Sequence, residues 1–206
     1  MTTVGRWSPN KVRARVLDGT WVSPEELGGM VLLTPTSISY TGTSATIGAN
    51  GSVEFTACTS LSLNGAFSAD YDNYVVVVKT TVTSRGWLNF KLRDGGVDSS
   101  TDYNYQRLSA SATSVTAGRA TSLTLGYLMV VDTDGSRNNG VVANFYGPYL
   151  NQPTAIRSIT AGVDVGAEIS DFAHTHGVSN EYDGLTLIPQ NGTITGLVSV
   201  YGLVGS

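Results

Sequence analysis

The chain has 206 residues, of which 41% are hydrophobic and only 14% charged, with a net charge of −4. That is long enough to bury a core without a disulfide or metal staple, too apolar for a disordered chain, and too acidic for a general nucleic-acid footprint. The single cysteine, Cys58, excludes an intrachain disulfide framework and a cysteine zinc site, and no apolar run approaches the ~18 residues of a membrane-spanning helix.

The opening Met-Thr-Thr-Val-Gly-Arg-Trp has no apolar h-region, so a secretory signal is not expected. Arg6, Lys11, Arg13 and Arg15 fall in the first 17 residues with no acid among them, while the rest of the chain is acidic. A basic arm therefore precedes an acidic body, a pattern suited to docking on an acidic protein surface. Within the arm, Lys11 to Leu17 alternates, and Asp18-Gly19 turns it into Thr20-Trp21-Val22, a hairpin signal. Ser23-Pro24-Glu25-Glu26 has the cap, proline and acids of a helix start, stopped within about a turn by Gly28-Gly29. Met30 to Leu33 is a short apolar run, and Thr34-Pro35-Thr36 marks a boundary. The expected division is an arm over residues 1–36 and a body over residues 37–206.

The body reads as strands throughout. Thr43 to Ala49 and Ser52 to Ala57 flank Asn50-Gly51, the strongest hairpin signal in the chain. Tyr74 to Val82 holds four consecutive valines, Val75 to Val78, as a central strand does. Further strands are expected around Trp87 to Leu92 and over Tyr103 to Leu108, Thr121 to Val131, Val141 to Tyr146, Ala155 to Val165, Ile169 to Thr175, Leu185 to Ile188 and Thr193 to Val204. Asp94-Gly95-Gly96, Asp134-Gly135, Asn138-Asn139-Gly140 and Asn191-Gly192 supply turns. Many short strands with almost no helix predict an all-β, antiparallel β-sandwich of jelly-roll type behind a short N-terminal arm with a β-hairpin.

Chemistry-bearing motifs are sparse. Gly-x-Ser-x-Gly, Ser-x-x-Lys and a phosphate loop with lysine are all missing, and no motif selects an acid pair, so neither an enzyme nor a cofactor is expected. His174 and His176 share one face of a strand, but two imidazoles are too few for a metal site. No resident metal is expected; were one bound, these two would hold it on a three-fold axis that gathers six imidazoles. Asp132 to Asn138 has alternate oxygen side chains but not the glycine position or terminal Glu of an EF-hand, and reads as a solvated hairpin loop. Cys58 reads as a buried free thiol. Tyrosines near turn signals, among them Tyr71, Tyr103, Tyr105 and Tyr149, are candidates to face a ligand such as a sugar or a protein.

Five stretches carry a likeness: Ser60 to Phe67, Asp70 to Tyr74, Phe145 to Pro148, Glu181 to Leu185 and Gly192 to Gly202. Together they resemble β-rich domains of tailed-bacteriophage virion proteins of the minor tail, tail-fibre or head-decoration kind, over residue 37 to the end. The resemblance implies a structural scaffold with no catalytic residues. It implies a virion location after synthesis in the host bacterial cytoplasm, a homotrimer, and contacts with other virion proteins and with a host surface glycan or protein. Neither nucleic acid nor membrane insertion is expected. The leading expectation is a surface appendage of the minor tail or fibre-tip type, possessing an attachment interface at Arg6, Trp7, Lys11, Arg13, Arg15, Trp21 and Met30. The alternatives are a capsid decoration protein that stabilises the head shell and, more remotely, a carbohydrate-binding module.

Overall fold

The computed structural model describes residues 29–111, 113–132, 138–161 and 169–204. Among them are sixteen strands and no helix. The strands are β1 (Gly29–Leu33), β2 (Ser37–Thr41), β3 (Ser44–Ile47), β4 (Val53–Cys58), β5 (Ser60–Asn64), β6 (Asn73–Val82), β7 (Gly86–Asp94) and β8 (Val97–Asp98). They continue as β9 (Tyr103–Ser111), β10 (Ser114–Leu123), β11 (Gly126–Val131), β12 (Asn139–Tyr146), β13 (Gln152–Ala161), β14 (Ile169–Asn180), β15 (Gly184–Pro189) and β16 (Ile194–Val204).

Two antiparallel sheets pack as the expected sandwich. The large sheet runs β10-β9-β14-β13-β12-β6-β16-β4-β3, with β1 also paired to β16. The small sheet runs β11-β7-β15-β5-β2, with β8 on β7. The valine run lies in β6, flanked by β12 and β16, and Val75, Val76 and Val78 are buried there. Period-two alternation sorts the faces: in β13, Thr154, Ile156, Ser158 and Thr160 point inward, while Ala155, Arg157, Ile159 and Ala161 point out. Between the sheets, Phe90 packs edge-on against Phe145 at 5.5 Å and Tyr103 at 5.7 Å, and Phe67 lies 4.6 Å from Tyr74.

Three local features differ from the sequence expectation. The Asn50-Gly51 hairpin closes through a five-residue loop: Gly48 N–H donates to Ser52 O at 2.8 Å, and Asn50 Oδ1 accepts from Ser52 N–H at 3.1 Å. The side-chain bond makes Asn50 part of the turn itself, which shortens the first strand and moves the second on by one residue. Thr121 to Val131 is two strands, because the chain leaves the large sheet after Leu123 and enters the small one at Gly126. A register shift between Ala120 and Leu123 and a positive φ of 57° at Ser122 make that corner. Third, Gly29–Leu33, placed in the arm by sequence, is laddered to β16 with Gly29 opposite Val204 and Leu33 opposite Val200. The Asp18-Gly19 hairpin, the Ser23 helix start and the side chains of Arg6, Trp7, Lys11, Arg13, Arg15 and Trp21 lie outside the described residues, as does most of the Asp132 to Asn138 loop.

A buried cation ties the small sheet's outer face. Arg93 donates from Nε to Asn64 Oδ1 at 3.0 Å and from one terminal nitrogen to Ser62 Oγ at 2.9 Å and Thr186 Oγ1 at 2.6 Å. It also meets Asp98 and the Gly96 carbonyl, so one guanidinium joins β5, β7, β15 and β8. Each of its nitrogens has an acceptor, which is the condition for burying a charge.

Candidate functional site

The two histidines lie inside the sandwich. His174 is 4% exposed and His176 is 0% exposed, on the inward face of β14 that also carries Phe172. His174 sits among Phe90, Phe172 and Tyr105, with ring centroids 5.6–5.7 Å away. Burial pushes its pKa down to about 4, with the Tyr127 backbone opposing part of the shift. His176 stacks on Tyr103 at 4.3 Å, and its Nε2 lies 2.7 Å from Tyr182 Oη and 3.1 Å from Ser99 Oγ. Its pKa is also lowered by burial, against a smaller opposing effect of Asp102. A three-fold axis between chains is out of reach for both rings, so the axial-metal arrangement is corrected: they are core residues. Among the described residues no group of three or more His, Cys, Asp or Glu side chains is placed to hold a metal ion.

The ligand-facing tyrosines are corrected in part by the same alternation. Tyr103 is fully buried; its Oη accepts from Leu92 N–H at 2.8 Å and donates to Ser99 O at 3.2 Å, and burial raises its pKa. Tyr105, two residues on, shares that inward face and packs edge-on against Tyr127 at 5.2 Å. Tyr71 lies across Gly202, where an added Cβ would come within 2.5 Å of its ring, and Tyr149 packs on the core. The four do not line a common site. Cys58 is buried, its Sγ 3.4 Å from Ser44 O, and burial raises its pKa, so it behaves as a packing thiol. Met30, the one attachment candidate within the described residues, is 60% exposed on β1.

One aromatic cluster had no sequence signal. Trp87 on β7 and Tyr127 on β11 lie 4.9 Å apart, and the Arg107 guanidinium on β9 sits 4.9 Å over the Trp87 ring and 6.0 Å over Phe172. These residues bridge the two sheets, joining β9 and β14 of the large one to β7 and β11 of the small one, and a cation over a half-buried indole strengthens that contact.

The feature that asks for a partner is the outward face of the large sheet at its β10 edge. Register sets two adjacent rows across it. One runs Val115, Ala110, Ile169, Ala161; the next runs Ala117, Leu108, Asp171, Ile159, Val142. Val115 is 75% exposed, Leu108 and Ile169 58%, Ile159 53% and Val142 46%. A shallow cavity of about 330 Å³ opens between Leu108, Val115, Ile159 and Ile169. Arg157 lies beside the rows and grips Asp171 with two bonds, Nε–Oδ1 at 3.1 Å and a terminal nitrogen to Oδ2 at 2.6 Å. That pairing holds the Asp171 carboxyl below the usual carboxylate range. Exposed β-branched and leucine side chains in contiguous rows are what free surfaces avoid and interfaces use. Beside them β10 runs ten residues as the sheet's last strand; Arg119 and the register shift before Leu123 blunt its far end, while residues 114–118 carry neither charge nor proline.

No protein-family model matches the chain, and no curated protein matches it. Among solved structures it is similar to domain 4 of AbnA, a GH43 extracellular arabinanase from Geobacillus stearothermophilus solved with arabinotriose. That match has 11% sequence identity and a TM-score of 0.33, and covers 85% of this chain and 82% of the other.

Proposed function

We propose that this chain is a bacteriophage virion structural protein: a non-catalytic β-sandwich displayed on the particle as a homotrimer and fixed by its basic N-terminal arm. The observation that carries this reading is the exposed apolar rows on the outward face of the large sheet, which cross five strands up to its edge strand β10. Such a surface suits a subunit that works in contact with other protein, and the resemblance of residues 37–206 to tailed-phage virion domains names the setting. Within it, a minor tail or fibre-tip position is preferred and a capsid decoration role is the alternative. Purified virions labelled with an antibody to this chain test the reading, together with copy number by quantitative mass spectrometry. Label at the tail with few copies per particle is the expected result. Hundreds of copies over the head would assign decoration instead, and absence from purified particles would overturn the proposal.

A further inference from the structure

We infer that the outward face of β10-β9-β14-β13-β12 is the surface through which copies of this chain bind one another, turned toward their shared axis. The inference rests on the assembly reading above and adds the identity of the contact. Three observations select a second copy as the occupant.

The first is size. Five strands spaced about 4.8 Å apart and three outward rows spaced ~6.7 Å, the two apolar ones and the adjoining polar row of Arg119, Gln106, Ala173, Arg157 and Asn144, give a footprint of roughly 500 Å² in projection. Side-chain relief and the free edge of β10 bring that toward the ~800 Å² per partner of a stable interface. The second is chemistry. Leu108, Val115, Ile159 and Ile169 surround a single charge, the Arg157-paired Asp171, so the face is aliphatic apart from that pair, as interface cores are. The third is charge. The face carries both members of an ion pair, Arg157 and Asp171, on its exposed surface. Around a three-fold axis each copy can set its Arg157 against the next copy's Asp171, so that the ring of three closes with every one of these charges paired between copies. The chain's own arm is a poor occupant, because Arg6, Lys11, Arg13 and Arg15 would meet Arg119 and Arg157 with only Asp171 among the described residues of the face to offset them.

The full-length chain is tested by sedimentation velocity at micromolar concentration, against the variant Leu108→Thr/Ile169→Thr. Threonine keeps strand propensity at exposed positions, so the fold should survive, and circular dichroism checks that it does. Wild type should sediment as an oligomer, and the variant's dissociation constant should rise at least about a hundredfold. Val97→Thr is the control: Val97 is 71% exposed but lies on β8 of the other sheet, and association should be unchanged. A monomeric wild type overturns the inference, even if the same face then cross-links to a different virion protein. A variant that associates as tightly as wild type also overturns it. The virion reading fails separately: a monomer found in purified particles removes only the self-contact, and an oligomer absent from particles removes only the virion role.

Discussion

His174 gives the most quantitative test of the core. Its ring is enclosed by Phe90, Phe172 and Tyr105 and stays neutral down to a pKa of about 4, against an ordinary value of 6.5. The sign follows from proton counting. Between those two values the unfolded chain binds a proton at His174 and the folded chain does not, so stability rises with pH across the window and falls on acidification. From about pH 7 to about pH 5, a folded pKa of about 4 and an unfolded value of 6.5 cost about 2 kcal/mol. For a chain of this size that is a drop of about 4–8 °C in melting temperature. His176, lowered in the same direction, adds to the trend. Urea denaturation midpoints at fixed protein concentration over this pH range measure it, with His174→Phe as the comparison, since phenylalanine suits three aromatic neighbours. The variant should lose about 2 kcal/mol of the pH dependence. An unchanged slope in His174→Phe, or a wild type whose stability is flat between about pH 7 and about pH 5, would refute the reasoning.

Other outcomes are expected from the same structure. Arg93→Met should cost about 3 kcal/mol by chemical denaturation, because Asp98 loses its cation and keeps only the Thr186 hydroxyl, and Ser62 and Thr186 each lose one bond. Tyr182→Phe removes the hydroxyl 2.7 Å from His176 Nε2 and should cost about 1–2 kcal/mol. Gly184→Ala places a Cβ on the Leu63 carbonyl in the β15–β5 ladder and should lower stability by about 1–3 kcal/mol. Gly95→Ala, in open space at a φ of 55°, should cost only about 1 kcal/mol, and thermal melts rank the two. Deleting residues 1–28 should leave a folded oligomer that no longer enters particles. Deleting residues 1–36 should also weaken the fold, because it strips β1 from β16.

The sheet-rich fold was legible because its signals are local. Four consecutive valines marked a central strand of the large sheet, and the apolar-rich run Thr193 to Val204 marked β16. β2 and β5 were not expected as strands, because their apolar positions are few and spaced by serine, and Ser62 is buried only through partners on other strands. Sidedness was the harder question. That His174 and His176 share a face follows from the period of two. That the face is the inner one is marked by Phe172, with Asp171, Ala173 and Thr175 on the other side. The same holds for Tyr103 and Tyr105. The apolar outer face was invisible, because Leu108, Val115, Ile159 and Ile169 come from four strands and become neighbours only once the register is known.

The ladder between β1 and β16 has a practical consequence for handling the protein. Because Gly29 stands opposite Val204, the root of the arm and the end of the last described strand share one end of the sandwich. A fluorescent protein or affinity tag fused after β16 would crowd the segment proposed to seat the subunit on the particle, and could mimic an arm deletion. The Asn191-Gly192 turn, exposed at the opposite end of β16, is the better insertion point: a short epitope there would project away from the arm's root.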